Sequence, residues 1–585
     1  MSSDPLVAAD DGFHHPASED DLVALVRLAY REGRQLRVRG AAHSNSHAIY
    51  TDPLDMQNRV LWQQPPPGDG INVMLDRYTG WRVVDEGRRL VEADAGIHLG
   101  ADPGDPTGHG TLESSLLWNL HERGWTLFDT GGITHQTVSG FTATGSAGGS
   151  LQATANRNLY AFRIIDGRGD VHEVTRDDPA FAAMCPNLGL LGVVSKVTLE
   201  CTETFNVSGQ EAATTLDACA VDLFGDGGDG RPSLEAFFRG AQFARIEWWP
   251  QRGAERALVW QCQQMPPQPG FRPTRYQRFG DHPERTQYFV SVLFTILGNL
   301  DDLSKAKGKL EDDFDKLDLV LEELARAKDL GRGGKLLAWF VGHAIELGVD
   351  TAITMLEPVA GIVKETIPEF FPKLIDVFVP LDDEKPGTRK GEPNSFRDLG
   401  YLGLPMDNAV DDTLMATQFT EIWIPLPRTR ETMTILRDYF AEPKDDDDAY
   451  RRTGTYAWEL YASEPSPFWL NAAYSDGQDE WREGAFRVDP YFFAENSGDP
   501  ADTLFKPVWE LLRDRGIPFR LHWGKFQPNY APGDRHWVDF FRAQYPRWDD
   551  FLALREQHDP SNLFLTQYWR DRLGLWDAPP PAPRP

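Results

Sequence analysis

The sequence predicts an α+β fold that carries a helical insertion in its second half. Three observations predict it. Strand-like and helix-like segments alternate up to about residue 205. Residues from about 285 to 375 then show helical spacing, and strand-like segments return in "ATQFTEIWIPL" after residue 415.

The elements follow in order. Residues 19–33, "EDDLVALVRLAYREG", read as an amphipathic helix. Val23, Leu25, Val26 and Leu28 to Ala29 recur near helical spacing, and Gly33 stops it. "LRVRG" reads as a short strand, "RLVEADAGIHLG" as a strand and turn, and "LESSLLWNLHERGWTL" (112–127) as a helix. Residues 131–150, dense in Gly, Ser and Thr, read either as a surface loop or as a nest of backbone N–H groups for an anion. "LYAFRIIDGRGDVHEVTR" is a hairpin around Asp166-Gly167, and "LGLLGVVSKVTLECTETF" is a buried strand. A first domain spans 1–205 and a second 206–585. In the second, "ARIEWWP" and "RALVWQCQQ" are strands. The insertion runs from about 285 to 410, with Phe314, Leu317, Leu321 and Leu324 on one helix face and "LDDEKPGTRKGEPNS" as a polar loop.

The 585 residues are 41% apolar and 25% charged, an ordinary globular composition. Lys and Arg number 59 against 89 Asp and Glu, a net charge of −30. That surface repels nucleic acid and anionic membrane, so neither is an expected partner. Four cysteines without CxxC or zinc-like spacing, and an N-terminus without an apolar core segment, point to a reduced, cytoplasmic protein. The most apolar stretch, "KLLAWFVGHAIELGVDTAITML", carries Lys335, His343, Glu346 and Asp350, which suits a buried or capping helix rather than a membrane span.

"RVRGAAHSNSHAIYTDP" sets His43 and His47 four apart, but its small residues make it a loop. No HExxH and no completing carboxylate accompany it, so no metal is expected. "DLGRGGKL" fails the phosphate-loop pattern, and Gly145 to Gly148 is one residue off a hydrolase elbow. In "RLHWGKFQP", His522 and Lys525 follow a strand-like segment. They read as a strand end with a solvated Lys, or as positive charge aimed at an electron-rich ring or oxyanion.

"RVRGAAHS", "VSGFTATGSAGGS", "LGLLGVVSKVTL" and "HWGK…YPRWDDFLALREQHDPSNLF" stand in an order that resembles the covalent flavoproteins of the vanillyl-alcohol oxidase fold, in particular the sugar 1,4-lactone oxidase group. The resemblance covers about 15–205 and 415–575. The insertion is similar to that of the type II cholesterol oxidase branch. The resemblance implies a PCMH-type FAD-binding domain of two α/β subdomains, and a substrate domain with an antiparallel sheet over the flavin. It implies that His43 bonds covalently to FAD, so a neighbouring base or helper group is expected. It places Arg39, Gly40, Ala41, Ala42, Ser44 and Asn45 on the diphosphate. Ser139, Gly140, Ala143, Thr144 and Gly145 match a second flavin-binding loop, where Ser146-Ala147-Gly148 replaces the usual Thr-His-Gly. Val193 and Val194 match the adenine-contacting strand, and His522 and Lys525 the pair at the flavin pyrimidine edge. His47 gains no role. Glu459-Leu460-Tyr461 stands where relatives carry Glu-x-Arg, and Asp489 where they carry His. The implied reaction is oxidation of a CH–OH group of a small alcohol or lactone, with O2 reoxidising the flavin. Lys525, Glu459, Tyr461 and Asp489 would carry the chemistry, and the insertion would roof a larger or more apolar substrate. Three other readings stay open: a dehydrogenase with another acceptor, an oxidase of a bulky apolar alcohol, and a flavin-binding module without catalysis.

Overall fold

The computed structural model describes residues 4–52, 65, 68–275, 283–299, 302–312, 314–326, 331–356, 375, 379–382, 394–408, 417–441, 454–494, 496, 498–528 and 535–583. Helix α1 (Glu19–Glu32) begins at Ser18, whose hydroxyl accepts from the Asp21 N–H, and ends at Gly33 with φ 65°. It buries Leu22, Leu25, Val26 and Ala29, one face of a 3.6-residue repeat. Strand β1 (Leu36–Arg39) follows. A one-turn helix α2 (Ser46–Ile49) leads on to β2 (Ile71–Met74), which pairs with β1 in parallel.

Strands β3 (Trp81–Asp85) and β4 (Leu90–Asp94) open a second sheet. Helix α3 (Leu116–Glu122) is shorter than the sequence suggests. Ser115 Oγ turns back to Leu112 O at 2.6 Å and Gly124 adopts φ 77°, so both ends of the expected helix are diverted. After β5 (Trp125–Thr126), the Gly-rich stretch contains a helix, α4 (Val138–Thr144). Thr137 caps it by accepting from the Gly140 N–H, and Gly145 ends it at φ 72°. Strands β6 (Leu159–Ile165), β7 (Val171–Thr175) and β8 (Val193–Glu200) complete a five-stranded antiparallel sheet ordered β3-β4-β8-β6-β7, and β9 (Thr202–Glu203) pairs with β5. The β6–β7 hairpin turns at Asp166, whose Oδ1 accepts from the N–H groups of Arg168 and Asp170.

From Asn206 the chain builds one nine-stranded sheet. Its members are β10 (Asn206–Thr215), β13 (Phe243–Trp249), β14 (Arg256–Met265), β15 (Asn394–Leu399), β16 (Thr417–Phe419), β17 (Ile422–Pro425), β18 (Thr455–Ser463), β19 (Ala485–Phe493) and β20 (Arg520–Leu521). A small hairpin of β11 (Gly227–Gly228) and β12 (Arg231–Pro232), then helix α5 (Leu234–Gly240), lie between β10 and β13. The order is β15-β10-β14-β13-β18-β19-β17-β20, with β16 also on β19, and every pairing is antiparallel. The single strand expected in "ATQFTEIWIPL" is broken at Thr420, whose hydroxyl donates to Phe526 O at 2.9 Å.

The insertion contains helices α6 (Pro283–Gly298), α7 (Ser304–Asp312), α8 (Leu317–Arg326), α9 (Gly331–Leu347) and α10 (Val349–Leu356). Gly348, at φ 89°, separates α9 from α10 within the most apolar stretch, and no described helix is long and apolar enough to cross a membrane. Phe314 is corrected. It sits on a separate single turn before α8 and is 38% exposed, while Leu317 and Leu324 are buried. The stretches 357–374 and 383–393, including most of the polar loop, lie outside the described residues. The helices share one core with Trp249, Tyr456, Ala457 and Phe493 of the sheet. All four cysteines are free and buried.

After β20 the chain returns to the first half. Asn45 N donates to Gly524 O at 2.7 Å, and Leu36 N donates to Leu563 O at 2.9 Å. A Cβ at position 145 would lie 3.1 Å from Asn471 Nδ2 and 3.3 Å from Pro186 Cδ, on a backbone in the left-handed region. Gly145→Ala is therefore expected to lower stability by about 1–2 kcal/mol, read by urea unfolding.

Candidate functional site

A cavity of about 240 Å³ opens between the β1–α2 loop, α4, the face of the large sheet and the segment after β20. A smaller cleft of about 60 Å³ shares Arg37, Val38, Gly40, Gly140, Ala143 and Gly189 with it and ends on Val193 and Val194. Together they form one elongated slot.

The loop wall is made of small residues for a geometric reason. A Cβ on Gly40 would sit 2.5 Å from Thr137 Oγ1, so only glycine lets this loop meet the cap of α4. Ala42 bends the chain at φ 59°, and Gly40 to Ser44 then line the cavity. Arg39 does not. Its Nε donates to Gly40 O and its guanidinium lies 5.5 Å from the Phe13 ring centroid. Asn45 is also used structurally: its side chain accepts from the His47 N–H and caps α2. His47 lies on that turn, stacked on Tyr568. From α4, Gly140, Ala143 and Thr144 line the cavity and Ser139 lines the smaller cleft, while Gly145 forms the helix stop.

His522 and Lys525 face this loop. Lys525 Nζ donates to His43 O at 3.1 Å and lies 4.2 Å from the Phe419 ring centroid. His522 Nδ1 accepts from the Gly524 N–H, which leaves its proton on Nε2. Burial pushes the His522 imidazole down to about 4, with Lys525 and Arg487 adding to the effect against Glu421. His43 is pushed down to about 3 by burial, then by the charges of Lys525, His98 and Arg39. Both rings are neutral at physiological pH.

The opposite wall is the sheet. Glu247, Glu459 and Asp489 are Cα partners in one line across β13, β18 and β19. Glu421 stands one residue before Ile422, which pairs with Val488, and so extends the line. Tyr461 and Arg487 are partners in the next line. Arg245 is fully buried and is ion-paired to Asp407, with Glu459 at 3.1 Å and Glu247 at 3.5 Å. Arg487 lies 2.9 Å from Asp489, 3.6 Å from Glu421 and 4.0 Å from the Tyr461 ring centroid. Glu459 accepts from Tyr461 Oη at 2.9 Å and from Tyr491 Oη.

These carboxyls are not equivalent. Burial, reinforced by the Asp407 charge and offset by Arg245, pushes Glu459 up to about 7. Burial drives Asp489 well above the usual carboxylate range, with Glu421 and Glu459 adding to it against the Arg487 guanidinium 2.9 Å away. Burial would raise Glu421 too, but the His522 ring beside it and the charges of Arg487 and Lys525 hold it below its usual range.

Lys525, His522, Glu459 and His43 thus meet around one cavity, with Val193 and Val194 at the far end of the slot. Tyr461 and Asp489 lie one layer behind the lining and hold Glu459 and Arg487 instead. Among the described residues of the insertion, Asp407 lines the cavity, while the helices of the insertion back its wall through Trp249, Tyr456 and Ala457. Sequence reasoning missed Arg245, Glu247, Asp407, Glu421, Arg487 and Tyr491. The signal was present in "FARIEWW" and "AFRVDPYFF", where charged residues alternate inside otherwise apolar strands. It also missed a carboxylate beside His43: His43, Asp102 and His135 each bring one ligand-type atom within 4.8 Å of the others.

No family model matches the chain. D-arabinono-1,4-lactone oxidase of Eremothecium gossypii is 23% identical over 255 residues, 42% of this chain and 40% of that protein. L-gulono-1,4-lactone dehydrogenase of Mycobacterium tuberculosis is 22% identical over 579 residues, 97% of each chain. The crystal structure of cholesterol oxidase from Brevibacterium sterolicum superposes with a TM-score of 0.60 over 96% of this chain and 93% of that one, at 15% identity. The two chains share one fold. The α+β architecture expected from the sequence is therefore the one found, insertion included.

Arg245→Met removes the cation that Asp407, Glu247 and Glu459 surround, which is expected to cost about 3–5 kcal/mol at neutral pH. Without it these acids bind protons more tightly in the folded state than in the unfolded one. The variant's deficit therefore grows as pH rises from 6 to 8 and shrinks as pH falls, measured by urea unfolding at each pH.

Proposed function

We propose that the chain is an FAD-dependent oxidoreductase that oxidises a CH–OH group of a sugar lactone, polyol or related neutral alcohol, with dioxygen as the final electron acceptor and hydrogen peroxide as its product. The observation that carries this reading is the fixed cation Lys525, held between the His43 loop and the carboxylate wall at the centre of the slot. The names of the lactone oxidase and lactone dehydrogenase relatives, and the fold shared with cholesterol oxidase, support it.

The residues present suit FAD. The cavity and the smaller cleft share one wall of small residues, Gly40, Ala41, Ala42 and Gly140 would face the diphosphate, and the cation Lys525 lines the cavity. Gly40 to Ser44 would hold the diphosphate, Val193 and Val194 the adenine end, and His43 would tether the isoalloxazine. When bound, the flavin supplies a two-electron acceptor for hydride. Lys525 would place positive charge where reduction puts negative charge, with the neutral His522 ring, its proton on Nε2, beside it. Across the cavity, Glu459 receives the hydroxyl proton. With Glu459 uncharged, Arg245, Arg487 and Lys525 match Glu247, Glu421 and Asp407 in formal charge. An ionised Glu459 gives the pocket one excess negative charge, which the substrate proton cancels. An anionic substrate would add to that excess, which is why a neutral one is proposed.

Anaerobic mixing of the yellow protein with aldonolactones, polyols and sterols is expected to bleach the flavin with one of the first two classes, and air is expected to restore it with peroxide. Bleaching only by sterols would overturn the substrate class. Reoxidation no faster than free flavin would assign a different acceptor.

Two further outcomes are expected with the accepted substrate. Glu459→Gln lowers kcat by about 10²–10⁴. The wild-type kcat/KM falls as pH drops below about 7, because the base must be deprotonated, and this limb is absent in the variant. Lys525→Met slows flavin reduction by about 10²–10³ while leaving flavin attached, read by stopped-flow absorbance.

A further inference from the structure

The sheet side of the cavity carries a second row of residues beside the carboxyl line. Two positions along the chain from Glu247, Glu459, Asp489 and Glu421 stand Trp249, Ala457, Tyr491 and Phe419. The register sets them side by side: Ala457 pairs with Tyr491, Tyr491 with Phe419, and Trp249 follows Trp248, the partner of Trp458. A spacing of two keeps both rows on one face, about 7 Å apart. All four residues line the cavity. A bulge adds a fifth. Thr455 pairs with Phe492 and Ala457 with Tyr491, so Tyr456 is an extra residue in β18. Consecutive strand residues ordinarily face opposite ways, yet Tyr456 and Ala457 both line the cavity. Tyr456 Oη and Thr417 Oγ1 share a hydrogen bond of 2.6 Å, and the Tyr456 ring centroid lies 5.9 Å from that of Tyr491. Phe294 of α6 backs Tyr456 at 5.4 Å, so the insertion holds this row from behind. Trp249 is 1% exposed, and its Nε1 has no hydrogen-bond partner among the described residues.

We propose that the Trp249 end of this row is a binding subsite for a flat ring, so that the preferred substrate is a neutral polyhydroxy compound bearing an aromatic ring a few bonds from the reacting carbon. The proposal rests on the reading that the cavity oxidises a neutral alcohol beside Glu459. Trp249 and Tyr491 stand on the strands that flank β18, two strand spacings or about 10 Å apart. Between them the row carries only the Ala457 methyl. A ring seated over that methyl would lie about 5 Å from each neighbour, within the separation that aromatic pairs prefer. The Trp249 N–H would donate to an oxygen on or next to the ring, which would satisfy a buried donor that is costly to leave unpaired. The other end of the row is occupied by charge, since Lys525 Nζ lies 4.2 Å from the Phe419 ring centroid. The row spacing keeps the ring off the reacting carbon itself and sets about three or four bonds between them.

The test uses the full-length flavin-loaded protein and three alcohols: glycerol, its monohexyl ether and its monophenyl ether. The phenyl ether is expected to exceed the hexyl ether in kcat/KM by about 10-fold, and glycerol by more. Trp249→Leu and Ala457→Val are each expected to raise KM for the phenyl ether about 10-fold more than KM for glycerol and to erase its advantage over the hexyl ether. Trp249→Phe, which keeps a ring and loses the donor, is expected to retain part of that advantage. Benzyl methyl ether, which has no hydroxyl to oxidise, is expected to compete with glycerol in the wild type and to lose that competition in Ala457→Val. A hexyl ether as good as the phenyl ether overturns the proposal, since the row would then be a general apolar wall. So does a Trp249→Leu variant that changes all three substrates by one factor, the result of a merely structural role. The underlying reading fails separately, and the proposal with it, where no polyol, ring-bearing or plain, and no aldonolactone bleaches the flavin.

Discussion

The site depends on a buried line of carboxyl groups facing too few cations. Glu247, Glu459, Asp489 and Glu421 cross the sheet side by side, with Asp407 above them and Arg245, Arg487 and Lys525 to balance them. A single buried carboxylate away from water is costly unless it is paired or protonated. Here both solutions occur at neighbouring positions. Glu421 is held below its usual range by the His522 ring and the charges of Arg487 and Lys525, while burial drives Asp489 well above its own against the Arg487 guanidinium. Glu459 falls between them and becomes the group whose charge can change.

The sheet can hold such a line only because other parts brace it. Antiparallel register fixes which side chains stand opposite, since a one-residue slip would send every charge to the other face. The long pairings β10–β14 and β18–β19 lock that register. The helical insertion packs on Trp249, Ala457 and Phe493, so the wall behind the cavity is apolar and water is excluded from its back. The chain after β20 then crosses to the first half, where Gly524 O takes the Asn45 N–H and Lys525 takes the His43 carbonyl. One short segment thereby sets the distance between the loop side of the cavity and the sheet side.

Much of this was legible in the sequence, for identifiable reasons. Helix α1 carries its own cap, stop and apolar face between Ser18 and Gly33, so local information sufficed. The loop at Gly40 to Ser44 was recognisable because close approach to Thr137 demands small residues, and Lys525 because it follows a strand end. Tyr461 and Asp489 came from the resemblance, as the positions where relatives carry Arg and His, but whether a side chain lines a cavity or supports one that does depends on depth, which neither such a match nor period-2 alternation reports. Asp407, Asp102 and His135 were invisible for a different reason. They come from loops hundreds of residues away from their partners or outside any periodic segment, and only tertiary zipping brings them in. Phe314 misled because helical spacing continued across a turn that the structure breaks.

Charge also explains why the two ends of the cavity do different work. Lys525, with His522 neutral beside it, biases one side toward a group that gains negative charge. Glu459, hydrogen-bonded by Tyr461 and Tyr491 and held near neutrality by burial, biases the other toward a group that gives up a proton. Removing hydride and proton from one carbon–oxygen unit requires both biases at once, at opposite faces of the same small volume. Lys525 and Glu459 cannot neutralise each other, because Arg245 and Arg487 already claim Glu459 while the His43 carbonyl claims Lys525. The surplus of buried acids, which would be a liability in an ordinary core, keeps these two groups apart and available.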